Sequence, residues 1–242
     1  MREKFNYKEY SNIISHIREH LPIVDFAEIT NATEKFCVIR HDVEFSIDRA
    51  LDLAILESRI GVKSSYMFQI RNNCYNAFSD LNLSKIKHIN SLGHKIGLHA
   101  HMGALNNIEF IGDYIVRDIE IFSSLIGFEL DRFSFHRPKK EHLICNLEIP
   151  NIINTYGPNY FHFTEDFKDL NVTYLADSQH LWNYGYPLDL DFKSIFKLQL
   201  NCHPYSWTEV GFANNENFLA LLMEKDRELK ISISNECKNF PF

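Results

Sequence analysis

What the chain lacks narrows its class before any motif is considered. It has no short-spaced cysteine pair: Cys37, Cys74, Cys145, Cys202 and Cys237 are scattered and odd in number. That excludes a disulfide framework or a four-thiolate zinc site and leaves most of them as small core residues. No apolar run reaches the roughly 18 residues needed to cross a bilayer. Met1 to Lys8 carries charges where a secretory leader needs an apolar core, so the expected location is cytoplasmic, with no integral membrane segment. No linker rich in Pro, Gly or Ser, no repeat and no low-complexity tract divides the 242 residues. They read as one domain with a core over about 35–230, large enough to fold without disulfides. Acidic residues outnumber basic ones, 32 to 25, for a formal charge of -7. A surface of that sign gives no electrostatic reason to bind nucleic acid or an anionic membrane.

What is present is an alternation of apolar runs and helical stripes. KFCVIRH (35–41) reads as a strand, followed by a helix over Ile47 to Ile60 with Ser46 as its cap and Gly61 as its stop. SSYMFQI (64–70) and a helix from Ser84 to Gly93 repeat the unit, and KIGLHAH (95–101) with a helix over Ile108 to Ile126 repeats it again. RFSFH (132–136), VTYLADS (172–178) and FKLQLNCH (196–203) are further strands, and a last helix covers about Glu216 to Glu228. Residues 140–170 read as loops and short helices. Strands and helices alternating at this length predict parallel β/α units with helices outside the sheet, as an open sheet or a closed barrel. In either, ligands collect at the carboxyl ends of the strands.

Those ends are where the polar residues gather: His41-Asp42-Val43-Glu44, His99-Ala100-His101, His136-Arg137, Asp177-Ser178 and His203. Asp42 and Glu44 are two apart, so both face one side of an extended segment. One could bind a divalent metal while the other takes a proton from water, or both could cap the following helix. His99 and His101 share that spacing, and Glu44, His99 and His101 form the simplest three-ligand set that leaves a position for water. Arg137 is the candidate to hold Asp42 through two parallel hydrogen bonds. His136 supports a ligand or the pocket wall, and strand alternation sets it opposite Arg137 unless the chain turns there. His203 can give a proton to a leaving group, with Asp177 fixing its tautomer. Ser178 lacks the G-x-S-x-G elbow of a serine hydrolase. His94 reads as a structural turn residue, and Lys139 and Lys140 as positive charge at the rim. Trp182, Tyr184, Tyr205 and Trp207 either stack on sugars or pack under loops.

These motifs, in this order, resemble the polysaccharide deacetylase superfamily, carbohydrate esterase family four, in a bacterial branch associated with surface-polysaccharide gene sets. The resemblance runs from about Phe36 to Trp207 through RHDVEFS (40–46), GVKSSYMF (61–68), SLGHKIGLH (91–99), SFHRP (134–138), LADS (175–178) and NCHP (201–204). It implies an irregular (β/α)7 barrel that hydrolyses an acyl group, commonly N-acetyl, from a sugar. It also implies Asp42 as general base, Glu44 and His99 as metal ligands, Arg137 as the residue orienting the base, and His203 as general acid with Asp177 beside it. The sequence departs from the family in two places. Glu44 stands where an aspartate is usual, and Gly103 stands where the second histidine is, with His101 as the substitute.

The function expected is metal-assisted hydrolysis of an N-acylated amino sugar or glycan precursor, with one divalent metal. Zinc comes first, and iron, cobalt, nickel or manganese are alternatives. Backbone N–H groups near residues 64–66 are the expected oxyanion donors. Hydrolysis of another carbon–nitrogen bond or of an O-acyl ester would use the same site, and an inactive glycan-binding or scaffold protein is the reading from a different class.

Overall fold

The strands form because their apolar residues are buried on both faces, with helices outside and a packed interior within. All eight residues of β1, Phe36–Val43, are buried. The computed structural model describes residues 5–30, 32–102, 110–161, 172–237 and 239. Ahead of β1 lies α1 (Tyr7–Arg18), a helix absent from the sequence reading. The Asn6 side chain caps it by accepting the Glu9 N–H at 2.8 Å, and Tyr10, Ile13, Ile14 and Ile17 form its buried stripe. Next come α2 (Ile47–Arg59), β2 (Ser65–Phe68), α3 (Asp80–Ser91), β3 (Lys95–His101) and α4 (Ile111–Ile126). The chain continues through β4 (Arg132–His136), α5 (Lys140–Ile144), β5 (Ile153–Asn154), β6 (Val172–Ala176), β7 (Lys197–Cys202) and α6 (Asn214–Glu236).

Ser46 caps α2 as expected, accepting the Arg49 N–H at 3.2 Å, and Gly61 follows the helix in a left-handed conformation at φ 70. α3 begins earlier than its apolar pattern suggests because Ser79 caps it. The expected start of the next helix, Ile108, and the position Gly103 lie outside the described residues. α6 runs past its expected end to Glu236, with Asn217 and Leu221 as its buried residues.

All seven strands are parallel, in the order β5-β4-β3-β2-β1-β7-β6, and the sheet curls into a half-barrel. This is the irregular (β/α)7 architecture expected from the motifs. Alternation divides each strand between two environments. Outward residues such as Tyr66, Phe68, Leu98, Phe133 and Phe135 pack under the helices, as do Ile39, Leu198 and Leu200 under α1 and α2. Inward residues begin at the amino ends with an apolar plug of Phe26, Phe36, Val38 and Val172 and become polar toward the carboxyl ends. Arg132 is fully buried near the amino ends, where it holds Ser65 Oγ at 2.7 Å and the Asp25 and Asp131 carboxylates.

One outward polar residue needed a partner. His41 lies 3.0 Å from the buried Glu57, whose carboxylate also accepts from Tyr10 at 2.5 Å, Ser64 at 2.6 Å and Tyr66 at 2.7 Å. Four donors on one buried carboxylate satisfy the charge that burial would otherwise penalise. His94, read as structural from its place before β3, joins the same layer through the Ser64 N–H and Ala54 carbonyl. No helix among the described residues is long and apolar enough to cross a membrane.

Candidate active site

The inward faces of β1, β3, β4 and β7 stack their polar residues in levels. At the lowest, Arg40 donates to Thr155 and Gln199, each at 2.9 Å, and lies 4.5 Å over the Tyr156 ring. Two residues further up β1, Asp42 accepts from Arg40 Nη2 at 3.1 Å, Asn201 Nδ2 at 2.9 Å and Ser134 Oγ at 3.1 Å. Arg40 Nε also lies 3.1 Å from Asp42 Oδ1, a contact between charges without hydrogen-bond alignment. Burial raises the Asp42 carboxyl, but Arg40 first, then His99, His203 and Asn201, overcome it and hold it at about 2. Asp42 is therefore an oriented, ionised carboxylate.

The guanidinium on Asp42 thus belongs to Arg40, which corrects the expectation placed on Arg137. Arg40 reaches it because residues two apart on a strand share a face. Arg137 follows the last residue of β4 and is exposed on the cleft wall, in a left-handed conformation at φ 51.

Above Asp42, three ligand-type atoms converge. His136 Nδ1 lies 3.1 Å from Glu44 Oε1 and 3.2 Å from His99 Nε2, and Glu44 Oε1 lies 4.0 Å from His99 Nε2. Burial opposes the charge on Glu44, but His136 and His99 hold its carboxyl well below the usual range. His99 is pushed down by burial, against the pull of Asp42 and Glu44. Its tautomer follows from a proton count. Ser134 gives its one hydroxyl proton to Asp42, so at 2.7 Å its oxygen accepts from His99 Nδ1–H. That leaves the His99 Nε2 lone pair facing Glu44 and His136, as metal ligation requires. Two imidazole nitrogens and a carboxylate within 4.8 Å of one another suit a first-row divalent ion.

His101, the ligand chosen from the sequence, is not in this group. It shares the inward face with His99 but sits two residues further on, roughly 6–7 Å along the strand, at the exposed end of β3. Its Cα pairs with that of His136, and the two rings lie 5.2 Å apart. β4 therefore supplies the second imidazole. The spacing rule that flagged Asp42 with Glu44 also links Arg40 to Asp42, Ser134 to His136 and Asn201 to His203. It held the missing residues, but a sequence does not show which strands lie side by side.

His203 stands at the cleft above β7. Its backbone N–H and Nδ1 reach Asp177 Oδ1 at 2.8 and 2.7 Å, and Trp207 Nε1 donates to Asp177 Oδ2 at 2.7 Å. Burial disfavours charge on His203, yet Asp177 outweighs it and raises the imidazole to about 9. Asp177 thus holds His203 as the sequence reading expected. The backbone donors expected near residues 64–66 do not face the cleft: Ser65 and Tyr66 are at the amino end of β2, and the Ser64 N–H donates to His94 Nδ1 at 3.2 Å.

A cleft of about 500 Å³ opens over Asp42, Glu44, His99 and His203. Tyr184, Tyr205, Phe45 and Phe218 line its sides, and Arg137 and Lys140 line its mouth. Trp207 is fully buried against Asp177 and Trp182 packs in the core, so neither offers a stacking face. Ser178 also lines the cleft. A larger hollow of about 820 Å³ along residues 146–160 has no histidine, cysteine or basic residue in its lining.

No protein-family model and no curated protein matches the chain. Solved structures to which the chain is similar include a family 4 acetyl xylan esterase from Clostridium thermocellum in complex with a cobalt ion. It is 14% identical over 69% of this chain and 73% of that one, with a TM-score of 0.38. The chitin deacetylase from the fungal pathogen Colletotrichum lindemuthianum is 12% identical over 84% and 86%, with a TM-score of 0.41. A CE4 family pseudoenzyme from Bacillus anthracis is 12% identical over 86% and 68%, with a TM-score of 0.42.

Proposed function

We propose that the chain is a metal-dependent hydrolase that removes an N-acetyl or similar acyl group from an amino sugar or glycan precursor. The observation that carries this reading is the gathering in one cleft of Asp42, held ionised by Arg40, and His203, held protonated by Asp177, with Glu44, His99 and His136 converging beside them. An acid and a base in their working states within one site are what amide hydrolysis needs.

A divalent metal held by Glu44, His99 and His136, with zinc the first choice, would supply Lewis acidity that lowers the pKa of water and polarises an acyl oxygen. Arg40, Ser134 and Asn201 fix both oxygens of Asp42, which accepts the proton of the attacking water. Held low by Arg40, Asp42 is a weak base, and the Lewis acidity that a metal on Glu44, His99 and His136 would supply complements it. As the carbon–nitrogen bond breaks, His203 donates its Nε2 proton to the departing nitrogen, because Asp177 occupies Nδ1. The amine leaves neutral, avoiding an amide anion. The motif resemblance favours an acyl amide over an ester.

The test is metal content with acetate release from N-acetylated amino sugars and their oligomers. Expected is about one transition metal per chain, lost in Glu44→Ala and His99→Ala. Asp42→Asn and His203→Gln should retain the metal and lose about 10²–10⁴-fold in rate. A chain that folds but takes up no metal on reconstitution overturns the hydrolase reading in favour of glycan binding or scaffolding.

A further inference from the structure

The mouth of the cleft carries charge that hydrolysis does not use. Asp42 is matched by Arg40, and Glu44 is committed to two imidazoles. These are the carboxylates in the described lining. Arg137 and Lys140 also line it, and among the described residues neither forms an ion pair with a protein group. The chain carries a formal -7, so two neighbouring cations at the opening run against the sign of the whole molecule.

The backbone places Arg137 there. Strand alternation would send it away from His136, but φ 51 turns the chain at that residue and brings its side chain onto the cleft wall. An arginine rarely adopts this region, and Pro138 behind it stiffens the turn. Strain of this kind is kept where neighbouring structure holds a side chain in place. At the other end of the curled sheet, Gln179 is also left-handed, at φ 60, and lines the same cleft. Tyr184, 62% exposed, presents a ring beside it on which a sugar can lie.

We infer that Arg137 and Lys140 form a subsite for an oxyanion carried by the substrate, so that the acylated sugar bears a phosphate or a carboxylate close to the acyl group. Arg137 suits either through two parallel N–H donors, and Lys140 adds a mobile point charge. The inference rests on the hydrolase reading for the identity of the sugar, while the anion site itself is measured by binding.

Calorimetric titration of the metal-loaded Asp42→Asn protein, which does not turn substrate over, compares three probes: N-acetylglucosamine, its 1-phosphate and its uronic acid. At least one anionic probe should bind ten-fold or more tightly than the neutral sugar, and more weakly as salt rises. In the same protein carrying Arg137→Gln and Lys140→Gln, that advantage should shrink to two-fold or less with neutral-sugar binding unchanged. Which probe gains tells phosphate from carboxylate. Equal affinity for charged and neutral probes, no binding of either anion, or an advantage that survives both substitutions overturns the subsite. Acetate release from neutral sugars by wild type, with no anion preference, removes the subsite and leaves the hydrolase. Anion binding without acetate release from any probe does the reverse.

Discussion

Ser134 serves His99 as Asp177 serves His203: each accepts a hydrogen bond from Nδ1–H and leaves Nε2 to face the cleft. The balance of burial and neighbouring charge decides the outcome. Burial keeps His99 neutral against the pull of Asp42 and Glu44, whereas the Asp177 carboxylate outweighs burial and keeps His203 protonated near 9. Two histidines of one cleft are thus oriented alike through Nδ1 and set to opposite tasks by that balance. The metal site gives a sharp test, because the sequence pointed to His101 and the structure groups His136. His136→Ala should weaken zinc binding by at least about 100-fold, Ser134→Ala by about 10–100-fold, and His101→Ala by little. A competitive chelator titration measures all three. Loss of binding in His101→Ala with retention in His136→Ala would sink the Glu44, His99 and His136 assignment.

At the scale of elements, β1 shows why one strand serves two purposes. Its inward residues Arg40 and Asp42 enter the site, while His41 between them turns outward to Glu57 under α1 and α2. The same alternation leaves little room beside β3. A Cβ on Gly97 would meet Met67 Sδ at 2.4 Å, Arg132 Cγ at 2.7 Å and the Arg132 carbonyl at 2.9 Å. The methionine can move, but the strand beside it cannot without disturbing the buried Arg132. Gly97→Ala should therefore cost about 1–3 kcal/mol of stability, read as a lower urea midpoint with an unchanged slope. The strands around these positions were legible as short apolar runs between turn residues, and β3 and β4 matched their expected bounds. β5 was not, since two residues carry no periodicity and it exists by pairing with β4. α1 has a helical stripe in its sequence, but its meaning becomes plain only against the outward face of β1 and β7 that it covers.

For the whole molecule, the His203–Asp177 pair ties stability to pH. The imidazole is raised from 6.5 to about 9 in the folded chain. The pair therefore contributes fully below about pH 6.5, and the contribution is lost as pH rises through about 9. Its size is on the order of 3 kcal/mol. Urea unfolding of the metal-free chain should show this decline between about pH 6 and 10, and an NMR titration should place the His203 midpoint near 9. Asp177→Asn should lower that midpoint, and a midpoint near 6.5 in the wild type would refute the pairing.

Local chemistry was enough to determine the parallel β/α architecture, the concentration of polar and ligand-type residues at strand ends, and the candidacy of Asp42, Glu44, His99, Asp177 and His203. Each depends on periodicity, turn residues or neighbours close in the chain. Three points were decided by tertiary structure alone. Arg40 takes the place expected of Arg137, His136 joins Glu44 and His99 ahead of His101, and Arg137 turns onto the cleft wall. The physical reason is common to all three. Side-chain partners across a curled parallel sheet are set by strand order, register and the φ of a single turn residue, and none of these is encoded in local spacing.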